Sequence, residues 1–99
     1  MNLPEEKFAE LLDIIRKISG EYTLTLTRDT LIEEELGVCG DDAIELILTV
    51  SKCFNVEISG FNFSKYFNDE PNPFYNSNKI LVPFTIAYLE RAIIAGKLD

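Results

Sequence analysis

Apolar residues recur at helical spacing in three stretches of the chain, and these stretches predict its main helices. The central stretch runs from residue 41 to 54. It carries two neighbouring apolar stripes, formed by Ile44, Ile47, Val50 and Phe54 and by Ala43, Leu46 and Cys53. Because a helix that is apolar over so much of its circumference is typical of the centre of a fold, we expect Ile47, Cys53 and Phe54 to be buried there.

Helix start and stop signals place the two outer helices. Pro4 suits the first position of a helix near 4–19, which carries an apolar stripe from Phe8 to Ile18 and is followed by a glycine that can end it. Thr85 is the expected N-cap of a last helix near 85–95, and another glycine follows that helix. Together the three helices predict an all-α bundle.

The connecting segments give weaker signals. Short helical turns are predicted near 31–35 and 62–67. The alternation of residues 22–27 is a strand pattern, for which residues 79–82 are the available partner. The alternative is an extended loop whose leucines fill the core. Residues 68–78, rich in Asn and Pro and without periodicity, predict a surface loop.

The length and composition agree with this fold class. The chain has 99 residues, of which 46% are hydrophobic. We therefore expect one domain spanning 1–99, with a core large enough to need no disulfide or metal. If residues 41–54 are helical, Cys39 and Cys53 are roughly 20 Å apart along the axis, too far to pair.

Charge is distributed unevenly along the chain. The net charge is −8. Residues 1–45 hold twelve acidic and four basic residues, a net of −8, whereas residues 46–99 hold five of each. An acidic surface of this kind repels nucleic-acid phosphate and anionic membranes and attracts basic surfaces, although acidic residues also serve solubility alone.

The most specific motif is LGVCGDDAIEL at residues 36–46, at the start of the central helix. It resembles the Leu-Gly-x-Asp-Ser-Leu-x-x-x-Glu-Leu core of acyl carrier proteins, in which the Ser carries the phosphopantetheine arm. Here Cys39, Gly40 and Asp41 replace the Asp-Ser-Leu triplet. The wider sequence of the chain is similar to that of a family of small bacterial acyl-carrier-like proteins of unknown function that lack this serine.

The resemblance implies a recognition face on the central helix for a protein partner. The residues expected to form it are Asp41, Glu45, Leu48 and Lys52, with Glu33, Glu34 and Glu35 nearby. Leu48 would give an apolar centre and the carboxylates an acidic rim. The alternative is that Leu48 is buried in the core. Lys52 departs from the usual acidic pattern, which predicts that partners of ordinary carriers are refused.

The residues that most enzymes use are scarce. The chain has no histidine, and two separate cysteines do not make a zinc site. Cys39 lies near a helix N-terminus, which lowers a thiol pKa, but neighbouring carboxylates act in the opposite direction. The aromatic residues near 61–67 lack the basic neighbours of a nucleic-acid platform, so core packing is the preferred interpretation. We expect no enzyme activity, no cofactor and no metal.

The leading hypothesis is a non-catalytic, acyl-carrier-like protein that acts as an interaction or regulatory module and is not phosphopantetheinylated at Gly40. The alternative is a working acyl carrier modified at a non-standard serine. A third interpretation is a regulatory or structural subunit unrelated to carriers in its mechanism. We expect a cytoplasmic monomer that binds a protein with a basic surface, and neither nucleic acid nor membrane.

Overall fold

The computed structural model describes residues 2–67 and 82–98, and these residues are mostly helical. The helices, in chain order, are α1 (Glu5–Ser19), α2 (Gly40–Phe54), α3 (Phe63–Tyr66) and α4 (Ile86–Ala95). The predicted all-α bundle is confirmed, and the ends of its three main helices lie within one residue of the predicted positions. Hydrogen-bonded turns occupy residues 32–36, close to the predicted turn.

Helices α1 and α2 pack against each other along their apolar sides. In α1, Leu11 and Ile15 are buried, and Gly20 ends the helix in the left-handed conformation at φ 73°. Acidic side chains lie in the first turn of α1 and basic ones in its last turn, as the helix dipole favours. Helix α2 contributes the centre of the core through four residues: Ala43, Leu46, Ile47 and Val50.

Helix α4 begins and ends as its sequence indicates. The hydroxyl of Thr85 accepts a hydrogen bond from the backbone N–H of Tyr88 at 3.2 Å, and Gly96 takes the left-handed conformation after the last turn. Two isolated backbone bridges hold the ends of α4: Leu31 pairs antiparallel with Thr85, and Glu57 pairs parallel with Lys97. The loop between α1 and α2 is thereby tied to the C-terminal part of the chain.

The aromatic residues of the described segments 61–67 and 84–88 form one packed cluster. Phe61 stacks on Tyr66 at 5.2 Å between ring centroids, and Phe84 meets both rings edge-on. The hydroxyls of Tyr66 and Tyr88 lie 3.1 Å apart and share a hydrogen bond. Because Phe61, Tyr66 and Phe67 are buried, the prediction that the aromatic residues near 61–67 pack in the core is confirmed, and the buried Phe84 packs with them.

An ion pair between a half-exposed arginine and a buried glutamate joins the loop before α2 to helix α4. The guanidinium of Arg28 donates to both carboxylate oxygens of Glu90, at 2.8 and 3.0 Å, and the backbone N–H of Leu3 donates to the same carboxylate. The guanidinium also lies 4.1 Å from the ring centroid of Phe8, over its face. The N-terminal segment, the loop before α2 and helix α4 therefore meet at Glu90, which is 2% exposed, and Arg28 extends the contact to Phe8 of α1.

Three residues of α2 lie differently from the prediction. Cys53 and Ile44 are exposed, and Phe54 is only half-buried at the edge of the core. The two apolar stripes read from the sequence span a wide arc of the helix. Because the core covers only the middle of that arc, Ile44 at one edge and Cys53 in the last turn fall outside it, whereas Ile47 is fully buried as expected.

The predicted strand at 22–27 does not form within the described residues. The carboxylate of Glu21 accepts hydrogen bonds from the backbone N–H groups of Thr23 and Leu24, each at 2.9 Å, and Arg16 donates to the carbonyls of Glu21 and Leu24. These local bonds bend the backbone away from a ladder. Of the two leucines in residues 22–27, Leu26 packs on the core and Leu24 is exposed.

Two further predictions, the surface loop at 68–78 and the strand partner at 79–82, fall outside the described residues, apart from Val82.

Candidate docking face on helix α2

One side of helix α2 faces away from the core and carries a linear set of exposed residues. We call this set the α2 face; its members are Asp41, Ile44, Glu45, Leu48 and Lys52. Spacings of three, four and seven residues bring them to one side of the helix. From Asp41 to Lys52 the face spans about 16 Å of the axis, or three turns.

Two aliphatic side chains form the centre of the α2 face. Ile44 is 43% exposed and Leu48 is 44% exposed, and they lie one turn apart. The alternative that Leu48 belongs to the core is therefore wrong. The sequence pattern assigned Ile44 to the core stripe. The signal that could have separated Ile44 from that stripe is its position, well away from Ala43 and Val50 around the helix.

Charged side chains flank this apolar centre at both ends. Asp41 and Glu45 lie in the N-terminal half and Lys52 in the last turn, and all three are exposed. None of the three takes part in an ion pair with another described residue. Within the described part of the chain, their charges are therefore not neutralised by an ion pair.

The acidic turn before α2 adjoins this face at its N-terminal end. Glu34 and Glu35 are exposed, and the carboxylate of Glu35 accepts a 2.6 Å hydrogen bond from the backbone N–H of Leu31. Glu33 is half-buried, and its charge acts on the thiol of Cys39, the residue that precedes α2. The acidic turn and Asp41 therefore make this end of the helix strongly negative.

Gly40 is the first residue of α2 and has a left-handed backbone, with φ 56°. The N-cap residue is Cys39, and its side chain makes no capping hydrogen bond. Asp41 and Asp42 lie inside the first turn and not at the cap position. Their carboxylates still interact favourably with the positive end of the helix dipole.

The thiol of Cys39 is not activated by its position at the helix N-terminus. Partial burial raises its pKa above the ordinary value, and the carboxylates of Glu33 and Asp42 raise it further. At neutral pH the thiol is therefore protonated and a poor nucleophile. Cys53 is also a free thiol, so the two cysteines form no disulfide with each other.

Comparison with known families places the chain. The family model described as "Protein of unknown function (DUF1493)" matches residues 5–98. The chain belongs to this family. A curated relative, the acyl carrier protein of Aster yellows witches'-broom phytoplasma (strain AYWB), is 31% identical over 68 residues, which cover 69% of this chain and 90% of that protein. No solved structure matches the chain.

The similarity between this DUF1493 member and an acyl carrier protein agrees with its helical architecture. Within residues 2–67 and 82–98, no helix is long and apolar enough to span a membrane. The same described residues contain no group of three or more potential metal ligands from His, Cys, Asp and Glu.

Proposed function

We propose that this protein is a non-catalytic, acyl-carrier-like module that binds another protein through the α2 face. The observation that carries the proposal is the exposure of Ile44 and Leu48 among the charged side chains of Asp41, Glu45 and Lys52, which form no ion pair with another described residue. An apolar centre with a charged rim is the usual arrangement of a protein-binding surface.

The expected partner has a basic surface with an apolar centre of its own. Asp41 and Glu45 lie on the α2 face, and the acidic turn at 33–35 extends the negative surface beyond the helix. Electrostatic complementarity of this kind raises association rates and excludes acidic partners, while the apolar contact supplies affinity.

Gly40 and Cys39 support a role without a covalently attached arm. Gly40 offers no side-chain nucleophile at the position where acyl carrier proteins carry the modified serine. The thiol of Cys39 is held in its protonated form by burial and by Glu33 and Asp42, which raise its pKa. The chain also has no histidine to serve as a general base.

Photo-crosslinking in cells that make the protein naturally tests the docking role. A photoreactive residue at position 48 should cross-link to one protein, whereas the same residue at position 9, on the exposed side of α1, should not. Adding Glu45→Lys should reduce the cross-link at position 48. Glu10→Lys, the same charge change on α1, should leave the cross-link intact.

Two results would contradict docking at the α2 face. One is equal cross-linking at positions 48 and 9. The other is a cross-link at position 48 that does not respond to Glu45→Lys. Mapping of the cross-linked peptide should place it beside Lys or Arg side chains on the partner, and an acidic site there would argue against the predicted complementarity.

The competing function is a working carrier modified at a serine outside the usual motif, and similarity to an acyl carrier protein favours it. In the described structure three candidate hydroxyls donate to nearby acceptors: Ser51 to the Val56 carbonyl, Ser59 to the Glu57 carboxylate and Ser64 to the Asn62 side chain. Intact mass after incubation with a broad-specificity phosphopantetheinyl transferase and coenzyme A decides between the functions. We expect no added mass, and an added phosphopantetheine would establish the carrier instead.

A further inference from the structure

The charges of the α2 face are separated by sign along the helix. Asp41 and Glu45 occupy its N-terminal half, Leu48 lies in the middle, and Lys52 occupies the last turn. Lys52 follows Glu45 by seven residues, or about 10 Å of helix axis. That separation is well beyond the 4 Å of an ion pair, and neither side chain pairs with any other described residue.

The helix dipole accounts for only part of this arrangement. It favours acidic residues near the N-terminus and basic residues near the C-terminus, whichever side of the helix they occupy. It does not account for Ile44 and Leu48, which are more than 40% exposed on the same side as these charges. In contacts between two paired helices, each helix contributes apolar side chains at the centre and charged side chains beside them. The exposed Ile44 and Leu48, with opposite charges on either side, match the contribution of one helix to such a contact.

We infer that the α2 face recognises a partner helix whose own charges are segregated, with cations opposite Asp41 and Glu45, an apolar residue opposite Ile44 and Leu48, and a carboxylate opposite Lys52. This inference rests on the proposed function and specifies its partner. Lys52 is then the residue that sets specificity, because it repels a surface that is basic along its whole length.

The geometry of the face favours a helix as the element that docks. Its five residues form a single stripe about three turns long, with side chains that repeat every three or four residues. A second helix laid along this stripe presents side chains at the same spacing, so that each end and the centre can be matched at once. A partner with one compact basic patch matches only the N-terminal end.

Two synthetic helical peptides test the inference. They have the same composition, net positive charge and leucine stripe, and are about five turns long. In the segregated peptide all lysines are at one end and all glutamates at the other; in the mixed peptide they alternate along the length. Because the net charges are equal, general attraction to this acidic protein is the same for both.

The wild-type protein should bind the segregated peptide about three- to tenfold more tightly than the mixed one, measured by fluorescence anisotropy near physiological ionic strength. This range corresponds to one or two exposed ion pairs. Lys52→Glu should remove or reverse the preference. Lys7→Glu makes the same change in net charge on the exposed side of α1, and should leave the preference as in the wild type.

The outcomes separate this inference from the proposed function. If Leu48→Glu weakens binding of both peptides but Lys52→Glu leaves their ratio unchanged, the docking face stands and the role assigned to Lys52 is wrong. If Lys52→Glu and Lys7→Glu change the ratio equally, the inference is also wrong, since only net charge would matter. If Leu48→Glu leaves binding of both peptides unchanged, the face itself is rejected, and the inference with it.

Discussion

At the scale of single residues, Gly40 lacks the hydroxyl of the serine that acyl carrier proteins have at this position. Its own backbone has a left-handed φ of 56°. The sequence motif predicts a mild effect of Gly40→Ser only if position 40 needs no positive φ, and the structure does not meet that condition. Residues other than glycine adopt this backbone conformation at a cost of about 1–2 kcal/mol.

We therefore expect Gly40→Ser to lower the free energy of unfolding by about 1–2 kcal/mol, somewhat offset because serine also restricts the unfolded chain. Gly40→Asn is the matched control, since asparagine tolerates positive φ better than serine and should cost less. Urea unfolding followed by circular dichroism measures both. A Gly40→Ser variant as stable as the wild type would show that α2 can begin with an ordinary helical residue at position 40.

At the scale of one element, the orientation of α2 separates neighbouring residues. Ile47 is fully buried against the core, whereas Leu48 is 44% exposed on the α2 face. Phe54 lies at the edge of the core and is partly buried. Of two neighbouring aliphatic residues, one is thus buried in the core and the other is left largely exposed.

Truncation of these neighbours should change the free energy of unfolding by very different amounts. Ile47→Ala should cost about 2–5 kcal/mol, because it leaves a cavity in a packed core. Leu48→Ala should change stability by no more than about 0.5 kcal/mol. Phe54→Ala should cost less than the ~3–5 kcal/mol of a fully buried Phe.

Chemical denaturation of the three variants measures these differences directly. A large loss for Leu48→Ala together with a small loss for Ile47→Ala would mean that α2 is rotated relative to the described structure and that the α2 face does not exist in this form.

At the scale of the whole molecule, Glu90 connects segments that are far apart in sequence. Its carboxylate accepts hydrogen bonds from Arg28 and from the backbone of Leu3, and the Arg28 guanidinium covers Phe8 of α1. The bond from Arg28 lowers the pKa of Glu90 below its ordinary value of 4.5, burial acts in the opposite direction, and the Leu3 N–H lowers it further.

The lowered pKa of Glu90 fixes the direction in which the stability of the fold changes with pH. A carboxyl group whose pKa is lower in the folded than in the unfolded protein stabilises the fold fully above its unfolded pKa. That contribution is lost as the pH falls from about 4.5 through the lower folded value. Glu21 acts in the same sense, because the Thr23 hydroxyl, then the Leu24 and Thr23 N–H groups, lower its pKa.

Glu90→Gln should therefore unfold at a lower urea concentration at pH 7 and show a smaller decrease of stability between pH 5 and 3 than the wild type. The remaining decrease comes from other carboxyls such as Glu21. Glu34→Gln, which alters an exposed carboxylate, is the control and should follow the wild-type curve. Equal pH dependence in the wild type and Glu90→Gln would exclude a stabilising role for the ionised Glu90.

The sequence by itself determined the features that depend on neighbouring residues. Pro4, Thr85 and the two glycines that follow α1 and α4 mark helix ends, because caps and left-handed glycines act within one turn of chain. The apolar spacing identified the side of α2 around Ile47 and Val50, because helical periodicity is a local property. The motif at 36–46 likewise located the start of α2.

Only the tertiary structure decided how much of each apolar surface is covered. Ile44, Cys53 and Ile47 are all apolar residues of one helix, yet only Ile47 is buried, because burial depends on where other segments pack. The ion pair between Arg28 and Glu90 joins residues 62 positions apart, and no spacing rule reaches that far. The positive φ of Gly40 depends equally on how the preceding loop enters α2. Packing therefore decided both which residues form the α2 face and which backbone conformation residue 40 adopts.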